Sequence, residues 1–218
     1  MGKLFEKRVI KILNFVKNKE ISKNKFKKLA IYNEKKQIIG FLRPITKEIL
    51  ENNEEIKLLA KWRRENAFAF PTQFKVTFFG TKNWIKGLIK NPTRILFFVE
   101  SNEIRPVLIG HIGLYSFNFE DDSCEIDNVV RGNKKKLKGI MTFALKSLIR
   151  WTKKILKPKK IFLRVFSDNE RAIKFYKRCG FKEYVLIPLE KKIKDDFISW
   201  EENKNLIKAE KYFLKMIC

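Results

Sequence analysis

Glu125 and Asp127 stand two residues apart in a strand-like run, 124–130, so their carboxylates fall on one face. Carboxylates placed this way can accept a proton or draw in a cation. His111 is the single histidine of the chain and sits on the preceding strand-like run. Its imidazole titrates in the range where a proton can be accepted and returned. Tyr176 offers a phenol, a weak acid with a pKa of about 10. Lys134, Lys135, Lys136 and Lys138 crowd a loop that meets Gly139 just before a helical pattern. A glycine lets the backbone approach a ligand closely, and the unpaired N–H groups at a helix start bind anions. The residues thus include proton acceptors, a proton donor and an anion cradle. Each also has a purely structural reading: carboxylates salt-bridged to lysines, a tyrosine packed on a sheet, a solvated lysine loop.

Tyr176 lies in Ser167-Asp168-Asn169-Glu170-Arg171-Ala172-Ile173-Lys174-Phe175-Tyr176-Lys177-Arg178-Cys179-Gly180-Phe181. The run 160–166 ahead of it reads as a strand. Ser167 or Asp168 can cap the following helix, and Ala172, Ile173, Tyr176 and Cys179 recur at helical spacing. Gly180 supplies a left-handed stop, with Phe181 opening the next strand. Asn169, Ala172, Tyr176, Gly180 and Phe181 together resemble the Asn-x-x-Ala-x-x-Phe-Tyr-x-x-x-Gly-Phe signature of the GNAT superfamily of N-acyltransferases. Lys136-Leu137-Lys138-Gly139-Ile140-Met141 resembles the family's phosphate loop, Arg/Gln-x-x-Gly-x-Gly/Ala. Lys136 stands there for Arg or Gln, and Met141 for the small residue.

The chain has 218 residues, 44% of them hydrophobic, with 20 phenylalanines, which argues for a globular protein with a substantial core. Cys124, Cys179 and Cys218 are too scattered for a disulfide framework or a zinc site, and with one histidine no metal centre is expected. Reduced thiols, no apolar stretch of membrane-spanning length and no secretory leader pattern suit a cytoplasmic protein. The net charge of +25 points to anionic partners: a phosphorylated small molecule, nucleic acid or a lipid surface.

Along the chain, Phe5, Val9, Ile12 and Val16 share one helical face. That helix either packs on the domain or serves as a basic amphipathic anchor to lipid or RNA. A polar, lysine-rich linker or short helix follows over 18–28. The run 37–44 reads as a strand, Thr46 as the cap of a helix running to Trp62, and 81–89 as another helix. The run 94–100 is a strand, 107–117 and 124–130 form a hairpin, a helix follows to residue 154, and 184–189 and 211–217 are strands. The segment 190–208 reads as an irregular or helical insertion. These readings divide the chain into a basic helical N-terminal extension, 1–35, and a catalytic domain, 36–218. The resemblance implies an α/β (α+β) fold with a mixed, mostly antiparallel sheet of about six or seven strands and helices on both faces.

The resemblance also implies roles. Acetyl-CoA would be the donor, held by main chain near Val129 and Val130, by Lys136, Leu137, Lys138, Gly139, Ile140 and Met141, and by Asn169 and Ala172. Tyr176 would act as general acid on the departing thiol. Glu125, then Asp127 and His111, are the candidate bases for the amine. The Trp62-Arg63 helix end and the 111–127 hairpin resemble members that acetylate nucleotide-linked amino sugars of surface polysaccharides. The alternatives are acetylation of a ribosomal protein N-terminus, or a non-catalytic nucleic-acid-binding module on the same scaffold. Nucleic acid or membrane-surface contact through the basic N-terminus, and a homodimer, are further expectations.

Overall fold

The computed structural model describes residues 2–18 and 28–218; the linker expected over 18–28 lies largely outside the described residues. The strands are β1 (Leu29–Tyr32), β2 (Ile38–Pro44), β3 (Thr72–Gln73), β4 (Ile95–Ser101), β5 (Leu108–Asn118), β6 (Ser123–Arg131), β7 (Lys160–Phe166), β8 (Lys182–Lys194), β9 (Phe197–Glu202) and β10 (Lys211–Ile217). They form one ten-stranded sheet in the order β1-β2-β4-β5-β6-β7-β10-β8-β9-β3. Pairings among the described residues are antiparallel except for β6 with β7. The helices are α1 (Gly2–Lys17), α2 (Asn53–Glu65), α3 (Phe78–Lys90), α4 (Ile140–Trp151) and α5 (Glu170–Arg178).

β4 explains the layering. Every residue of Ile95–Ser101 is buried, as a strand covered on both faces must be. Ile95, Phe97 and Val99 join the core under α1 and α4, with α5 packed against it. Leu96 and Phe98 join a second core under α2 and α3. The alternation carries through to β6, where Cys124 and Ile126 enter the first core. Glu125 and Asp127 therefore face the α2–α3 side, together as expected.

The structure revises several expectations. The N-terminal segment is not set apart from the domain: Phe5, Val9 and Leu13 are buried in the main core, and β1 pairs with β2. Burying three such side chains contributes about 5–9 kcal/mol before entropy is counted. The apolar face that a lipid anchor would need is therefore already covered. Lys17 ties the end of α1 to α3, donating to the carbonyls of Ile89 (3.2 Å) and Asn91 (2.5 Å), and burial pushes its pKa down to about 8. The helix expected from Thr46 comes in two pieces. A 3-10 turn spans Lys47–Glu51, and α2 starts afresh because the Asn52 side chain accepts from Glu55 N–H. The segment 190–208 is no helical insertion. β8 runs on to Lys194 and returns as β9 through Asp195-Asp196, with Asp195 at φ +51°. Aspartate tolerates that conformation. β1, β3 and β9 lift the strand count to ten.

Candidate functional site

β6 and β7 pair only over Ser123↔Lys160, Cys124↔Ile161 and Glu125↔Phe162. Beyond Glu125 the two parallel strands separate and open a wedge. The cause lies on the other edge of β6. Between the pairs Gly113↔Asp127 and His111↔Val130, β6 carries one residue more than β5. Asn128 takes a positive φ of +52° there, so β6 bulges and bends away from β7. His111 holds the bulge: its Nδ1 lies 2.7 Å from the Asn128 carbonyl, so Nδ1–H donates.

The wedge leads to the loop before α4. Arg131 reaches inside it to the carbonyls of Lys136 (3.0 Å), Asn133 (3.3 Å) and Lys134 (3.3 Å). Asn133 Oδ1 accepts from Lys135 N–H (3.1 Å) and Lys136 N–H (3.3 Å). Among the described residues, the N–H groups of Leu137, Lys138 and Gly139 donate to no protein acceptor. Gly139 caps α4 at φ +89°, with no atom within 4 Å of where a Cβ would stand. Lys134, Lys135, Lys136, Leu137 and Lys138 are exposed. Ile140 and Met141 turn their side chains into the core, so they have only main chain to offer at the loop. Met141 can be large for that reason.

On the far wall, Asn169 caps α5 by accepting from Ala172 N–H at 3.1 Å. Ala172 packs against the core. Tyr176 is half-buried beside Phe175 and Phe181, ring centroids 5.2 and 6.1 Å away. Its hydroxyl has no protein partner among the described residues and keeps contact with solvent. Burial, then the nearby Cys179, Asp127 and Glu125, push its pKa well above the usual phenol value. The hydroxyl therefore stays protonated at neutral pH and lies within electrostatic reach of both carboxylates.

The candidate bases separate by environment. Glu125 is gripped through both oxygens by Arg164, Nε–Oε1 2.8 Å and Nη2–Oε2 2.7 Å. Arg164 also pairs with Glu202. Burial pushes the Glu125 pKa up, and Arg164 offsets this only in part. His111 is 3% exposed. Burial pushes its pKa down to about 4, against the pull of the Asn128 carbonyl and Asp127. A base so weak and enclosed is fitted to hold the bulge rather than to accept an amine proton. Asp127 is more open, its side chain 27% exposed. Its Oδ2 accepts from Arg94 (2.8 Å) and Asn128 (2.5 Å), while its Oδ1 has no protein donor among the described residues.

Guanidiniums flank the two carboxylates on this face: Arg94 over Tyr115 and Trp84, Arg164, and Arg63. Arg94 and Arg164 were not singled out from sequence. Arg164 could have been, as the charged residue within the apolar run of β7; Asn128 could have been, as an asparagine inside a strand. Trp62 fits flat against Gly132, where a Cβ would lie 1.9 Å from the indole.

Splayed parallel strands, a main-chain anion cradle and a phenol at the opening form one continuous site. A family model described as the acetyltransferase (GNAT) family matches residues 57–181, which span α2 to the start of β8. The chain belongs to the GNAT acetyltransferase family. Over 136 residues it is 29% identical to the acetyltransferase PseH of Campylobacter jejuni subsp. jejuni, serotype O:23/36 (strain 81-176), covering 61% of this chain and 80% of that protein. Among solved structures it is similar to the Vibrio cholerae spermidine N-acetyltransferase in complex with CoA and spermine, with a TM-score of 0.54 and 20% identity over 81% of this chain and 93% of that one. It is also similar to the spermidine/spermine N-acetyltransferase SpeG of the same organism in complex with manganese ions, with a TM-score of 0.55 and 18% identity over 83% and 92%.

This GNAT acetyltransferase takes acetyl-CoA as donor and an amine as acceptor. The residues fit that donor: free N–H groups at the start of α4 and four exposed lysines suit its phosphates, and the wedge suits an extended arm. Acetyl-CoA, when bound, supplies the activated acetyl thioester. The chain's own groups would orient it, and a thiolate, whose conjugate acid has a pKa of about 8.5, is a good leaving group in itself. Among the described residues no helix is long and apolar enough to cross a membrane, and no group of metal-ligating side chains is present.

Proposed function

We propose that this GNAT acetyltransferase acetylates the primary amine of a nucleotide-linked amino sugar, with Asp127 Oδ1 receiving the amine's proton. One observation carries the reading. Arg63, beside His111, has its Nη1 buried with no hydrogen-bond partner among the described residues. Its Nη2 is spent on Thr72, 2.5 Å to the carbonyl and 3.3 Å to Oγ1. Burial pushes its pKa down to about 10. An unsatisfied buried donor is costly, and more so when charged, so an anionic ligand group is its natural complement. Phe70 and Phe74 pack against the guanidinium at 3.8 and 5.2 Å, putting aromatic surface beside the anion site. Phosphate and a planar base are the two halves of a nucleotide.

The surroundings favour a small acceptor. The segment 66–77 leaves α2 and crosses to the far edge of the sheet, where β3 pairs with β9, Trp200 N–H donates to Pro71 O at 2.8 Å and Phe74 stacks on Phe197. This strap encloses the face that a peptide chain would need open. A polyamine would need surplus negative charge, whereas Glu125, Asp127 and Glu202 are balanced by Arg164, Arg94 and Arg63.

Release of free CoA thiol, measured over a panel of nucleotide-linked amino sugars, free amino sugars, spermidine and peptide N-termini, tests the reading. Nucleotide-linked acceptors are expected to react best. Arg63→Gln should raise their KM about 10–100-fold, the worth of a charge-assisted contact, and leave free amino sugars unchanged. Faster acetylation of spermidine, a free sugar or a peptide would refute it.

A further inference from the structure

α4 continues beyond its cofactor end into a second surface. Lys146, Arg150, Lys153 and Lys154 recur at helical spacing along its outer face and the π-turn Thr152–Leu156 that ends it. They line a concavity of about 630 Å³ together with Ile149 and Cys179. A second concavity, about 590 Å³, shares Lys146 and Arg150 and runs on past Phe143 to Tyr32 and Lys36. The two form one basic groove with an apolar floor.

Three features set it apart from the general lysine content. Three arginines of the sheet are matched by carboxylates: Arg43 with Glu100 and Glu55, Arg94 with Asp127, Arg164 with Glu125 and Glu202. Among the described residues none of the four groove cations pairs with a carboxylate, and the one carboxylate on the rim is Glu34. Like charges one turn apart also destabilise a helix by a few tenths of a kcal/mol per pair, so folding alone gives no reason for the stripe. Tyr32, 42% exposed on the edge strand β1, stands at the groove's end as an aromatic platform. Arg150 lies about 16 Å along the helix from Gly139, so the groove is separate from the cofactor's phosphate cradle.

We infer that this groove is a docking surface for single-stranded RNA, with the cations tracking phosphates and Tyr32 stacking on a base. Charge complementarity selects a polyanion. An aromatic platform beside the cations suits a strand whose bases can stack over a planar bilayer, and stacking requires unpaired bases. The inference is independent of the acceptor proposed above, because none of these residues belongs to the transfer site.

Fluorescence anisotropy of the full chain with labelled oligouridine, titrated with salt, tests it. Each phosphate engaged on a single strand contributes about 0.7 to the slope of log K against log salt, so four contacts give about −3. The variant Lys146→Gln/Arg150→Gln/Lys153→Gln/Lys154→Gln should lose most of that slope and weaken binding about tenfold or more. It should retain stabilisation by acetyl-CoA in a thermal shift assay. A control, Lys86→Gln/Lys90→Gln/Lys204→Gln/Lys208→Gln, removes equal charge elsewhere and should bind nearly as wild type, while Tyr32→Ala should weaken binding without changing the slope. Equal losses in groove and control variants would overturn the inference. So would displacement of the RNA by acetyl-CoA, or groove-dependent binding to phosphatidylserine vesicles in the absence of RNA binding.

Discussion

Replacing Arg164 with methionine keeps a long apolar stem and deletes the guanidinium that Glu125 holds through both oxygens. The Glu125 side chain is 8% exposed, so its charge is then left in a poorly solvated place. Breaking a fully buried pair in this way costs about 3–5 kcal/mol. Arg164 is itself 31% exposed, and water already shares its charge, so the expected loss at neutral pH is about 2–3 kcal/mol. The loss must depend on pH, in a fixed direction. Burial already holds the folded-state pKa of Glu125 above its unfolded value, and removing Arg164 raises it further. A carboxyl with a raised folded pKa contributes stability that is fully present below the unfolded pKa and is lost as pH rises through the folded one. Arg164→Met should therefore lie close to wild type below about pH 4 and fall behind progressively towards neutrality. Urea denaturation across that range measures the difference. Glu125→Gln/Arg164→Met removes the stranded charge and should recover about 1–2 kcal/mol relative to the single variant at neutral pH. A pH-independent loss, or strictly additive effects, would refute the assignment of Glu125 as an ion-pair partner. Activity gives a second check: Glu125→Gln should keep most of its rate, whereas loss of a true general base costs about 10²–10⁴-fold.

Tyr176→Phe should lower kcat about 10–100-fold, the low end of general acid catalysis because a thiolate leaves easily, with the KM for acetyl-CoA unchanged; a wild-type single-turnover rate would remove Tyr176 from the chemistry. Leu13→Ala should cost about 2–4 kcal/mol in denaturant unfolding, since Leu13 is fully buried in the main core. A loss under about 0.5 kcal/mol, the size expected of a surface substitution, would show that α1 stands off the domain.

Much of this protein was legible from local pattern. The segment from Asn169 to Phe181 announces its helix and its left-handed stop within one short stretch, and the structure places both there, with Gly180 at φ +99°; the cap falls on Asn169 rather than on Ser167 or Asp168, because the Asn169 side chain is the one that reaches the Ala172 N–H. Alternation alone put Glu125 and Asp127 on one face, because a strand's period is two whatever it packs against. What lay beyond local pattern was everything set by pairing between distant segments. That α1 is core rather than anchor depends on which sheet face it meets, and an amphipathic helix reads the same before either. That 190–202 belongs to a hairpin, leaving only 203–208 irregular, depends on β10 and β3 offering edges to pair with. Above all, three candidate bases, ranked from sequence with Glu125 ahead of Asp127 and His111, became three different groups in space. Arg164, 39 residues on, occupies Glu125; the Asn128 carbonyl and the enclosing core occupy His111; among the described residues Asp127 keeps one oxygen without a donor. The side-chain types are written in the chain. Which of them is desolvated, paired or open is decided by neighbours far away in sequence, because burial and charge act through space and not along the backbone.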